Sequence, residues 1–71
     1  MRRYRVDFDD RESNNVVEIR MSLGENSEIG VPNIGEEVIV YDSEISMHAV
    51  VGKGYHYEIV ATFDRSTIVD F

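Results

Sequence analysis

Glu36-Glu37-Val38-Ile39-Val40-Tyr41-Asp42, then Ile45-Ser46-Met47-His48-Ala49-Val50-Val51, then Tyr55-His56-Tyr57-Glu58-Ile59-Val60-Ala61-Thr62-Phe63 is the stretch that decides the fold. The second and third runs alternate apolar with polar or smaller residues, the two-residue period of a half-buried strand, and the first is a short apolar run, Val38-Ile39-Val40-Tyr41, between acidic residues. Ser43-Glu44 separates the first two runs and Gly52-Lys53-Gly54 the last two. If Ser43-Glu44 is a tight turn, Val40 meets Met47 and Val38 meets Ala49. A three-residue loop at Gly52-Lys53-Gly54 sets Val51 opposite Tyr55, Ala49 opposite Tyr57 and Met47 opposite Ile59. A slip of one residue would put these apolar sets on opposite faces.

Outward from this stretch the same period continues. Tyr4, Val6 and Phe8 alternate with Arg5 and Asp7, and Val17, Ile19, Met21 and Leu23 alternate with Glu18, Arg20 and Ser22. The polar run Asp10-Arg11-Glu12-Ser13-Asn14 between them reads as the turn of an antiparallel hairpin. Pairing Val6 with Val17 sets Arg5 opposite Glu18, which favours that register over its neighbours. Residues 24–35 hold three glycines and the only proline, so they read as a long connection. Its Ile29, Val31 and Ile34 are expected to lie across the core. Asp64-Arg65-Ser66 reads as a turn and Thr67–Phe71 as a short strand that closes the barrel or pairs with a second chain. The expected core is Tyr4, Val6, Ile19, Val38, Val40, Ala49, Val51, Tyr57, Ile59 and Phe63.

These elements predict an all-β protein, a small antiparallel barrel of five or six strands, as one domain over residues 1–71. Pro32-Asn33-Ile34-Gly35-Glu36-Glu37-Val38-Ile39-Val40-Tyr41-Asp42, Ala49-Val50-Val51-Gly52 and Tyr57-Glu58-Ile59-Val60 together resemble the core of SH3-like small β-barrels. The resemblance covers roughly the C-terminal half. OB-like barrels and rolled sheets use similar pieces and remain alternatives. Tryptophan is absent, so the resemblance does not extend to the aromatic cluster with which SH3 domains take polyproline.

The chain has 14 acidic and 7 basic residues, a formal net charge of −7. Arg2, Arg3, Arg5, Arg11 and Arg20 balance the acids of residues 1–20, so the excess lies in residues 21–71. Such a surface repels phosphate backbones and anionic membranes, and direct nucleic-acid binding is not expected. There is no cysteine, which removes disulfides and Cys-based zinc sites. Met1-Arg2-Arg3-Tyr4-Arg5-Val6-Asp7 has no apolar run like that of a signal peptide. No stretch approaches the roughly 18 apolar residues of a membrane span. A cytoplasmic setting is therefore expected.

Chemistry-bearing patterns are few. Asp7, Asp9, Asp10 and Glu12 lack the glycine and terminal glutamate of a calcium loop. His48 and His56 share a face in the expected register, with His48 opposite Glu58. That arrangement allows a ligand- or metal-binding face of His48, His56 and Glu58 as an alternative function. Ser43 and Ser46 near His48 are not a triad. No catalytic residue, metal site or cofactor is expected, and the chain does not read as an enzyme. The leading expectation is a non-catalytic protein-interaction module: a small regulator, subunit or inhibitor that binds a protein partner or its own copy. A third reading is an acidic nucleic-acid mimic that blocks a basic groove. The expected interaction surface is the second sheet face, with Ile39, Tyr41, His48, Val50, His56, Glu58 and Val60.

Overall fold

The structure is a computed structural model. It describes residues 1–13 and 15–71, with side chains throughout except at residues 10–14. Among the described residues six strands form one sheet that curls into a half-barrel. They are β1 (Arg3–Arg5), β2 (Arg11–Ser13), β3 (Val16–Glu18), β4 (Glu37–Tyr41), β5 (Ile45–Lys53) and β6 (Ile59–Asp70), in the spatial order β1-β4-β5-β6-β3-β2. The fold is all-β and barrel-like, as the alternation implies. One six-residue helix, α1 (Gly24–Ile29), interrupts the strands.

The β4–β5 hairpin forms in the expected register, with Val40 opposite Met47 and Val38 opposite Ala49. Ser-Glu lacks the glycine or asparagine that such two-residue loops favour. Asp42 supplies the order instead: its carboxylate accepts the Glu44 and Ile45 amides at 2.8 and 2.9 Å. The turn is thus held by a side chain standing in for a backbone acceptor.

The β5–β6 pairing keeps its faces but not its turn. Ala49 meets Phe63, Val51 meets Ala61 and Lys53 meets Ile59, so the strands run through Gly52 and Lys53. The loop lies over residues 54–58, where the Tyr57 amide donates to the Gly54 carbonyl and Tyr57 takes a φ of 64°. Ala49 therefore trades Tyr57 for Phe63, an even shift that preserves which side each residue faces. Tyr57 leaves the expected core and is exposed. Further along, His48 pairs with Asp64 but Ser46 with Val69. The extra residues bulge at the expected Asp64-Arg65-Ser66 turn, where Asp64 Oδ1 accepts the Ser66 amide at 2.9 Å.

The expected N-terminal hairpin does not form. β1 pairs in parallel with β4, Tyr4 opposite Val40, and the Val6 amide donates to Tyr41 O at 2.9 Å. Asp7 breaks the strand by accepting the Asp9 amide at 3.0 Å, which opens a 3₁₀ turn over Phe8–Asp10. From there the Phe8 ring packs edge-on against Phe63, centroids 5.3 Å apart at 84°. β3 instead pairs with β6, Val17 opposite Ala61. Its other neighbour, β2, falls within the stretch read as a turn. Of that stretch, Asn14 and the side chains of Asp10 and Glu12 lie outside the described residues.

The core gathers Tyr4, Val6, Phe8, Val17, Ile19, Val38, Val40, Met47, Ala49, Val51, Ala61 and Phe63. Ile59 packs against it, partly buried. The 24–35 connection contains α1 and crosses one end of the barrel. Ile29 packs on the core, whereas Val31 and Ile34 are exposed, contrary to expectation. Three polar ties fix the connection. Tyr4 Oη donates to Gly30 O at 2.5 Å, and Arg2 Nε donates to Glu36 Oε2 at 2.8 Å. Asn26, fully buried, accepts the Arg5 amide at 2.8 Å and donates to the Arg5 and Arg20 carbonyls at 2.9 and 3.0 Å. Among the described residues no helix is long and apolar enough to cross a membrane.

Candidate interaction surface

The outward residues of β4, β5 and β6 make the second face of the sheet. Cross-strand pairing lines up Ile39 with His48 and Asp64, and Glu37 with Val50 and Thr62. Arg3 of β1 extends the first row beside Ile39, and Val16 of β3 extends the second beside Thr62. Val50 is 46% exposed at the centre, and Ile39 is half-buried beside it. Tyr41 closes one end of the face, with the Arg3 guanidinium 5.3 Å from its ring centroid. That stacking spreads the cation over the aromatic quadrupole and covers part of the ring.

Val60 sits lower than its neighbours, only 7% exposed. It floors a shallow groove of about 510 Å³ whose walls are Val16, Lys53, Gly54, Tyr55 and Thr62. Gly52 lies beside it: a Cβ there would stand 3.8 Å from the Val60 side chain. Tyr55 stands at this groove with 98% of its surface in solvent. The apolar floor is therefore reached past an exposed aromatic ring at the tip of the β5–β6 hairpin.

Expected site residues separate into two groups. Ile39, Tyr41, His48, Val50 and Val60 share the outer face. His56 and Glu58 do not join them, because the hairpin continues past Lys53 and carries both into its loop. His48 is paired with Asp64 rather than Glu58, and five residues of strand, about 17 Å, separate that pair from the Lys53–Ile59 pair. Glu58 serves the loop itself. Its Oε2 accepts the His56 amide at 3.0 Å, and its carboxylate lies where a side chain on Gly54 would stand. The arrangement of His48, His56 and Glu58 as one face is thus corrected by the register. No cluster of three potential metal ligands is present among the described residues.

Near His48 the electrostatics belong to the bulge. Hydrogen bonds from the Ser66 hydroxyl and amide hold the Asp64 carboxyl below its ordinary range, and the nearby His48 adds to the effect. Thr67 bridges the strands: its hydroxyl donates to Asp64 O at 2.6 Å and accepts the His48 amide at 2.8 Å. The bulge is therefore internally satisfied, and it sets the polar border of the apolar face.

Sequence reasoning missed Tyr55, Val16 and Thr62. The alternation placed Tyr55 on the core side of a strand that begins four residues later. Its flank by Gly54 was the available signal, since glycine at a strand border marks the chain's departure from the sheet. Compared with known proteins, the chain matches no family, no curated protein and no solved structure.

Proposed function

We propose that this chain is a non-catalytic protein-interaction module, a small regulator, subunit or inhibitor, and that it binds through the outer face of β4, β5 and β6. One observation carries the reading: the exposed Tyr55 stands at a groove floored by Val60, and the exposed Val50 lies on the same face beside Thr62, a wall of that groove. Apolar surface rimmed by polar residues is the usual form of a binding patch. An exposed tyrosine is a typical anchor, because its ring buries a large area at small entropic cost. The polar rim is Glu37, His48, Lys53 and Asp64. The same proposal takes the half-barrel as SH3-like, on the resemblance carried by Pro32–Asp42 and the two strands after it.

The test is a pair of substitutions that leave the core untouched, Val50→Ser with Tyr55→Ser. Affinity capture from native lysate with the unaltered chain is expected to retain a defined partner. The double variant, with an unchanged melting temperature, should lose it. Equal recovery by both proteins would reject this face.

A further inference from the structure

We infer that the C-terminal part of β6 is a pairing edge for a second copy of this chain, which adds antiparallel across a two-fold axis at Ile68. The backbone makes the first argument. The Phe71 amide donates to Glu44 O at 2.8 Å, and Val69 pairs with Ser46. In an antiparallel ladder the hydrogen-bonding direction alternates residue by residue. Val69 and Phe71 therefore point their amides at β5, and Ile68 and Asp70 point theirs away from it. On that side β3 reaches only as far as Val16 opposite Thr62, with Asn15 O accepting the Phe63 amide. No described strand pairs with β6 beyond it.

The treatment of the other edges makes the second argument. Open strand edges recruit other strands unless they are blocked, short or charged. The outer edge of β1 is blocked: the Asn26 carboxamide occupies both the N–H and the C=O of Arg5, as a neighbouring strand would. β2 is three residues long and contains Arg11 and Glu12. Among the described residues nothing is set against the outward amides of Ile68 and Asp70 as Asn26 is against Arg5; the bulge at Asp64–Ser66 and the charged Arg65 and Asp70 flank this short open edge. Ile68, Val69 and Phe71 are 49%, 55% and 68% exposed. Ile68 also lines an opening into the core between Phe8, Ile45, Met47 and Phe63.

Charge favours a second copy as the occupant. Residues 65–71 contain Arg65 and Asp70 and are neutral, within a chain of net charge −7. A second copy meets no net repulsion along this stretch, and a basic foreign strand gains no attraction. A two-fold axis normal to the sheet requires a residue to face its own counterpart. Centring on Thr67 would set Asp64 opposite the other copy's Asp70, and centring on Asp70 would juxtapose the two Asp70 carboxylates. Centring on Val69 would bring Asp70 against Ile68. Centring on Ile68 sets Thr67 opposite Val69 and directs Asp70 toward the bulge at Ser66, whose amide stays on Asp64 Oδ1. It also joins the two Ile68 residues by reciprocal N–H···O=C bonds and draws them over the core opening.

The experiment uses sedimentation velocity on the full chain from about 1 to 300 μM, the range in which weak protein pairing is read. A monomer–dimer equilibrium is expected. In a hydrogen-bonded pair the Cα atoms stand about 5.5 Å apart, within disulfide reach, whereas diagonal neighbours lie near or beyond its limit. The chain has no cysteine of its own. Oxidised Ile68→Cys should therefore run as a covalent dimer, and Thr67→Cys and Asp70→Cys should remain monomers. Ile68→Pro removes an amide that β5 does not use, so it should abolish the dimer and leave the far-ultraviolet dichroism unchanged. A monomer across the whole range would overturn the inference. So would a dimer that persists in Ile68→Pro, or cross-linking at residue 70 as efficient as at 68.

Discussion

Asn26 does the work of a strand with a single side chain. A buried carboxamide has one acceptor and two donors to place, and here the acceptor takes Arg5 N–H while the amide group serves two carbonyls. Aspartate has the same shape and the wrong polarity. In Asn26→Asp one carboxyl oxygen would face the Arg5 and Arg20 carbonyls, so the group must hold a proton to remain in place. Its folded pKa is thereby raised above the unfolded value of about 3.9. The sign follows: the proton-dependent stability is present below that unfolded value and is lost as pH rises through the folded one. Asn26→Asp is expected to be destabilised by about 2–4 kcal/mol at neutral pH and by much less near pH 4. Urea unfolding at the two pH values reads the difference, with Asn26→Ala as a control whose deficit should not change. An equal deficit for Asn26→Asp at both would show that the carboxamide polarity is unimportant.

At the scale of elements, what was legible depended on how each turn is made. The β4–β5 pairing could be read because only one parity buries Val38, Val40, Met47 and Ala49 together, and only two residues separate Asp42 from Ile45. The β5–β6 pairing could be read by face but not by position. Gly52-Lys53-Gly54 has the composition of a loop, yet the strands pass through its first two residues. The turn falls on Tyr57, which adopts the left-handed conformation at a steric cost that glycine or asparagine would avoid. A turn that uses a tyrosine there leaves no compositional mark. β1 could not be assigned a partner at all. Parallel pairing is not announced by an adjacent turn, and the Asp7 hydrogen bond that ends the strand is indistinguishable in sequence from ordinary alternation. The candidate surface followed the same division. Ile39, Tyr41, His48, Val50 and Val60 were placed by parity alone, whereas His56, Glu58 and Tyr55 depended on where the turn falls.

For the molecule as a whole, the Arg2–Glu36 pair links the N-terminal residues to the start of the β4–β5–β6 unit. The Arg2 guanidinium and the Asn33 amide hold the Glu36 carboxyl down to about 2. A depressed carboxylate stabilises the fold above its unfolded pKa, about 4.5, and that stability is lost as pH falls toward 2. Melting temperatures of the unaltered chain and of Glu36→Gln should therefore differ most above pH 5 and converge toward pH 2. A gap of constant size across that range would show that the pair contributes nothing to acid unfolding.

The parallel β1–β4 pair also sets an order of events during folding. Bringing Tyr4 to Val40 closes a loop of about 36 residues, against the two-residue loop between β4 and β5, and the longer closure costs about 2.5 kcal/mol more in chain entropy. The hairpins can form before that cost is met, but β1 cannot dock until β4 exists. β1 is therefore added after the β4–β5 hairpin, as is β3, whose pairing of Val17 with Ala61 closes a still longer loop, and the loss of β1 is a partial opening that leaves the central hairpins in place. Native-state hydrogen exchange should show the Val6 amide, bonded to Tyr41 O, released at a lower free energy than the Val51 amide, bonded to Glu36 O. If both exchange only through global unfolding, the sheet is a single cooperative unit and β1 is as firmly held as the centre.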